Sequence, residues 1–330
     1  MKPHMFILLF LVTVLTASSR IEGQVSWTAH SPAIRCCMGM SANVSGNSPV
    51  SGTLLFGGFD GTSYFADSWI FREGRWIQII PASSPAARQG PGMAYDAATD
   101  TVVLFGGTAA DGTDLGDTWI WNGETWTQVL PSVAPSGRRL DTQGMAYDAA
   151  TQTVLLFGGY SNATGQVFGD TWSWNGQAKT WTQQHPTASP SARRAPIAYD
   201  AIRGKVVLFG GDDPSSGNAF GDTWTWDGRN WAQRTPAASP SQRGLASMAF
   251  DASVHKVVLF GGVTPGQYCP NNDTWAWNGT NWTLVSPSAG PPSRFAAGMA
   301  SDPAAQSAIL FGGFGCGFGL SDTWVLALSE

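Results

Sequence analysis

The tetrapeptide Leu-Phe-Gly-Gly occurs six times in the chain, with its first glycine at Gly57, Gly106, Gly158, Gly210, Gly261 and Gly312. The spacings of 49, 52, 52, 51 and 51 residues mark a tandem array, in which each unit must bury its apolar face against a neighbour. After each of these glycines comes a loop of nine to eleven residues and then Asp-[Ser/Thr]-Trp, opening at Asp67, Asp117, Asp170, Asp222, Asp273 and Asp322. A tight turn such as Asn122-Gly123 or Asp227-Gly228 follows, and then another Trp. Before each LFGG, a small-residue strand turns through Asp96 or its equivalent into a Val/Leu-rich strand. Each unit therefore reads as four short strands: one led by arginine, one ending in Gly-Gly, one opening with Asp-Thr-Trp, and one carrying a single Trp.

A four-stranded unit of about 50 residues is the period of kelch arrays. The Gly-Gly after an apolar strand, the spaced tryptophans and the period resemble kelch-repeat β-propellers, including the galactose-oxidase superfamily. The resemblance covers essentially the whole chain after residue 23. It departs from the commonest kelch pattern in opening the third strand with Asp-Thr-Trp and following it with a second Trp. The fold class expected is all-β, a single six-bladed kelch-type propeller over 24–330, with repeats at about 31–83, 84–134, 135–187, 188–237, 238–288 and 289–330.

The last repeat stops at Glu330 after three strands, while VSWTAHSP near the start matches fourth-strand segments such as TWTQVLPS and NWTLVSPS. Residues 24–30 are thus expected to supply the fourth strand of blade six, which removes a free sheet edge. All 16 tryptophans then hold a repeat position, Trp27 among the fourth-strand set, so packing between blades accounts for them.

Lys2, the apolar run from Met5 to Thr16 and the small residues Ala17, Ser18 and Ser19 follow the three-part pattern of a secretory signal peptide, with cleavage after Ser19 or Gly23. A run of 12 residues falls short of the about 20 that a spanning helix needs. The expectation is a secreted or periplasmic monomer with no membrane span. A formal charge of −5 argues against a nucleic-acid partner.

Metal chemistry needs converging His, Cys or carboxylate ligands, and the chain has four His, spread along its length. The paired His, Tyr and Cys-linked Tyr of kelch-type copper oxidases have no counterpart, nor does the Glu/Asp/His iron set of plant kelch specifier proteins; no metal site and no cofactor is expected. Asp111 to Asp114 matches a fragment of a calcium loop without its remaining ligands and reads as a turn. Most aspartates have a repeat position. Asp141, in an insertion at the head of blade three, is the one weak catalytic candidate. Six-bladed kelch folds include periplasmic sialic-acid mutarotases, which keeps a sugar mutarotase or epimerase as the alternative, and a structural envelope protein as the next.

Cys36, Cys37, Cys269 and Cys316 all fall on the face that carries the first-strand starts and the second-to-third-strand loops. In an exported chain an even number of thiols implies disulfides, with three pairings possible. Linking the Cys36 and Cys37 pair to Cys269 and Cys316 across the seam between blades six and one is favoured over a strained vicinal bond. A four-thiolate zinc site is the alternative.

Eight arginines stand at first-strand heads: Arg35, Arg88, Arg138, Arg139, Arg193, Arg194, Arg243 and Arg294. Six third-strand aspartates can neutralise six of them, leaving a surplus at Arg138/Arg139 and Arg193/Arg194 beside Asp141. Kelch substrate adaptors bind acidic peptides through arginines at comparable heads. The functional expectation is therefore an exported binding protein that takes an anionic glycan or an acidic peptide at the arginine-rich channel mouth.

Overall fold

The computed structural model describes residues 31–43, 51–141, 143–285, 290–302 and 306–326. Among them lie six antiparallel sheets in sequence order, five of four strands and the sixth of three, with no helix. Blade two shows the plan: Gly92–Asp96, Thr101–Phe105, Thr118–Trp121 and Trp126–Val129. Met93 opposes Leu104, Leu104 opposes Trp119, and Trp119 opposes Gln128. The second strand, TVVLF, is almost wholly buried because both of its faces meet neighbouring blades, and its β-branched residues suit that pleated surface.

The first strands are Gly39–Asn43, Gly92–Asp96, Met145–Asp148, Ile197–Asp200, Ser247–Asp251 and Gly298–Asp302. They surround the axis. Each hairpin into the second strand is organised by its aspartate: buried Asp96 accepts from the Ala98 amide at 3.0 Å and the Thr99 hydroxyl at 3.0 Å. Blade three departs from the plan in carrying long second and third strands, Thr153–Tyr160 and Val167–Asn175, with a bulge at Gly158. Blade four adds a short hairpin, Asp212–Asp213 with Asn218–Ala219.

The glycine pair of each LFGG joins neighbouring blades. Gly58 N donates to Arg88 O at 2.9 Å, and the same bond recurs from Gly107, Gly159, Gly211 and Gly262 to the arginine of the next blade. The sixth, from Gly313 to Arg35 O at 2.9 Å, joins blade six to blade one, so the ring is closed. Both glycines have left-handed φ, 69° at Gly57 and 109° at Gly58. A Cβ there would lie 2.8 Å from Arg88 O and 2.9 Å from Cys36 O, so the pair must be glycine.

Each described fourth-strand Trp packs on the LFGG phenylalanine of the preceding blade and donates its indole N–H to the Ser or Thr of that blade's Asp-[Ser/Thr]-Trp. Trp126 does so to Phe56 and Ser68 Oγ (3.0 Å), and Trp282 to Phe209 and Thr223 Oγ1 (2.9 Å). The expected closing strand at 24–30 lies outside the described residues.

Candidate functional site

The six ring arginines are buried, Arg35 to 1% exposure. Arg35 Nη1 and Nη2 donate to Asp67 Oδ1 and Oδ2 at 2.6 and 2.9 Å, Nη1 also to Gly57 O at 3.0 Å, and Nε to Ala33 O at 3.1 Å. The same bidentate pair forms between Arg88 and Asp117, Arg138 and Asp170, Arg193 and Asp222, Arg243 and Asp273, and Arg294 and Asp322. The aspartate is shared: Trp69 Nε1 donates to Asp67 Oδ2 at 2.6 Å. Burial opposes the charge on Asp67, yet the Arg35 guanidinium outweighs it and holds the carboxyl below its usual range. Asp117, Asp222, Asp273 and Asp322 are held down in the same way. These arginines fasten each first-strand head to the corner of its own blade and have no guanidinium turned to the axis.

The two surplus arginines also find carboxylates. Asp141 Oδ2 accepts from Arg194 Nη1 and lies 3.2 Å from Arg139 Nε, while Arg194 Nη2 donates to Asp212 Oδ2 at 2.5 Å. Asp212 comes from the short hairpin of blade four, so the cluster ties blades three and four with matched charge. Burial pushes the Asp212 carboxyl up despite Arg194. Asp141 Oδ1 packs on Gly90, where a Cβ would sit 2.5 Å away. With one oxygen held by guanidinium and the other covered, Asp141 presents no free face to a substrate. Arg139 keeps a fifth of its side chain exposed, over Tyr160.

A chain of backbone bonds draws the strand heads together. Ala296 N donates to Leu245 O, Cys37 N to Ala296 O, Gly90 N to Cys37 O and Leu140 N to Gly90 O, at 2.6–2.9 Å, running from blade five through six, one and two to three. Between Arg138 and Asp148 blade three has two more residues than blade two has between Arg88 and Asp96. This insertion places Gln143, whose Nε2 donates across the axis to Met40 O at 3.0 Å and to Met299 O. Gln143 had no mark in the sequence beyond the extra length.

The cysteines pair differently from expectation. Cys36 bonds to Cys37, and Cys269 to Cys316, with Cα separations of 3.8 and 5.0 Å. Cys269 and Cys316 sit on second-to-third-strand loops of adjacent blades five and six, which brings them together. Cys36 is instead held in blade one by paired backbone bonds to Phe59. Beside the Cys269–Cys316 bond lies a hollow of about 500 Å³ lined by Asp60, Val263, Tyr268, Phe295, Phe314 and Phe318. Tyr268 is 93% and Phe318 56% exposed. These loop aromatics fall outside the repeat pattern, which was the signal available in the sequence.

Among the described residues no three His, Cys, Asp or Glu converge as metal ligands. Asp111 and Asp114 serve turns, Asp111 accepting from the Thr113 amide and Asp114 from Thr108 Oγ1, both at 2.9 Å.

The family description KLHDC2/KLHL20/DRC7 Kelch-repeats domain matches residues 144–330, more than half of the chain. The chain belongs to the kelch-repeat family. No curated protein matches it. As a kelch propeller it is of a kind that mediates protein interactions, and no helix among its described residues is long and apolar enough to cross a membrane. In this kelch ring six of the strand-head arginines are paired with third-strand aspartates, and the aromatic hollow lies on the same face.

Proposed function

We propose that this kelch propeller is an exported interaction module that seats an extended segment of a partner protein on the strand-head face, with an aromatic or aliphatic side chain in the hollow between blades five and six. The observation that carries the reading is the exposure of Tyr268 and Phe318 over an apolar floor of Phe295 and Phe314. Large exposed aromatics at a concave site are the usual anchors of recognition. The hollow is held by the Cys269–Cys316 bond, whose loops form two of its walls, so little order must be lost on binding. Asp60 stands on its rim, where the Ser63 and Thr62 amides hold its carboxyl below the usual range and therefore charged. A cation beside the anchor matches that charge and the −5 of the chain. The leader pattern and the paired cysteines support export.

A second reading keeps an anionic glycan or acidic peptide at Arg139 and Arg194. The observation in its favour is that the Nε of each is buried without a hydrogen-bond partner. Panning a random-peptide library against the protein and its Phe318→Ser variant separates the two. The first reading expects a consensus of an apolar residue beside Lys or Arg that Phe318→Ser no longer enriches. An acidic consensus lost in Arg139→Gln, and retained in Phe318→Ser, overturns it in favour of the second.

A further inference from the structure

Beyond Gln143, toward the hairpins between first and second strands, the axis widens into a cavity of about 240 Å³. Four consecutive blades give it an aromatic half-wall, Tyr95, Tyr147, Tyr199 and Phe250, at equivalent positions of their first strands. Blades six and one place Ser301 and Ala42 there instead, so the space is lopsided: rings on one side, small residues on the other. Methionines, Met40, Met93 and Met145 among them, line its depth.

Each first strand pairs along one edge with its second strand, and the other edge faces the axis. Gln143 bonding to Met40 O and Met299 O identifies the carbonyls that point inward. Strand alternation puts the backbone groups two residues on, at Tyr95, Tyr147 and Tyr199, on the same edge. The wall therefore offers aromatic side chains and main-chain donors and acceptors, and no charged side chain among the described residues lines it. An ion entering such a site would shed water with no counter-charge to meet it. The volume falls below the about 300–1,000 Å³ of pockets for drug-sized ligands and suits one substituted six-membered ring.

Two features mark the cavity as built. The residue that floors it comes from an insertion that blade two lacks, and Gln143 is held at φ 55°, a strained setting for a residue with a side chain. Burial pushes the phenols of Tyr95, Tyr147 and Tyr199 up, so the wall stays neutral at physiological pH.

We infer that this cavity is a binding site for a neutral monosaccharide, its apolar ring face against the tyrosine half-wall and its hydroxyls toward Ser301 and the inward main chain. The site lies on the face opposite the aromatic hollow and is independent of it.

Saturation-transfer NMR of the full chain with D-glucose, D-galactose and N-acetyl-D-glucosamine, and with D-glucuronate as the charged control, tests the inference. At least one neutral sugar is expected to receive saturation at millimolar concentration, and glucuronate none. Ala42→Tyr restores the residue that three other blades carry at this position, so the fold accommodates it while the open side of the cavity fills. Affinity in that variant is expected to fall by about tenfold or more with the melting temperature unchanged. Peptide binding at Phe318 is unaffected by Ala42→Tyr, which separates failure here from failure of the hollow. No neutral sugar bound, equal binding of glucuronate, or unchanged affinity in Ala42→Tyr overturns the inference.

Discussion

Trp76 Nε1 donates to Thr323 Oγ1 at 2.8 Å, and its ring meets Phe311 edge-on at 5.0 Å between centroids, so blade one grips blade six with the contact that every other described fourth strand makes. Applying that rule to blade six calls for an indole against Phe260 with its N–H on Thr274 Oγ1. A crevice of about 180 Å³ lined by Phe260, Thr274, Leu310 and Trp324 stands at that place. Trp27→Ala and Trp282→Ala are each expected to cost about 3–5 kcal/mol of stability. Urea denaturation measures both, and an unchanged midpoint for Trp27→Ala removes residues 24–30 from the ring.

Arg243 and Asp273 test the ring of ion pairs. Arg243→Ala leaves the partly exposed Asp273 carboxylate without its guanidinium and is expected to lower stability by about 2–3 kcal/mol. Arg243→Lys rescues little, since an ammonium cannot span both carboxylate oxygens and Gly261 O together. Equal stability of the lysine variant and the parent in urea would contradict the bidentate role.

Acid should unfold the ring. The carboxyls of Asp67, Asp117, Asp222, Asp273 and Asp322 sit lower in the folded state than in the unfolded chain. Their contribution is complete above the unfolded value of about 3.9 and is lost as pH falls through the folded values. Asp96 and Asp212, raised by burial, work in the opposite sense, and they are two against five. Melting temperature is expected to hold steady from neutral pH to about pH 5 and to drop steeply below about pH 4. Stability rising on acidification to that range would reverse the assignment.

Cys269 and Cys316 lie 47 residues apart in sequence, a loop whose closure in the unfolded chain is worth about 4 kcal/mol on the chain-entropy account. Cys269→Ser with Cys316→Ser is expected to lower the melting temperature and, by freeing the walls of the hollow, to weaken peptides selected on it. Four thiols titrating in unfolded, unreduced protein would exclude both disulfides.

Blade number and the aspartate partners of six arginines were legible because they are local and repeated: six LFGG and six Asp-[Ser/Thr]-Trp fall in register, and eight strand-head arginines against six aspartates left two over. Where those two go was not legible, since Asp212 reaches Arg194 from a hairpin peculiar to blade four. Repeat position likewise hid the tyrosines. Tyr95, Tyr147 and Tyr199 read as strand residues, and what makes a cavity of them is the small residue on the other side of the axis, at Ala42 and Ser301. The cysteine pairing depended on which loops touch, a property of the closed ring that spacing along the chain does not carry.

The bond from Gly313 N to Arg35 O is indistinguishable from the five that join the other blades. Six equivalent bonds thus join each blade to the next through the same glycine and the same arginine carbonyl, and the six units are free to change individually at their loops while these joints stay constant.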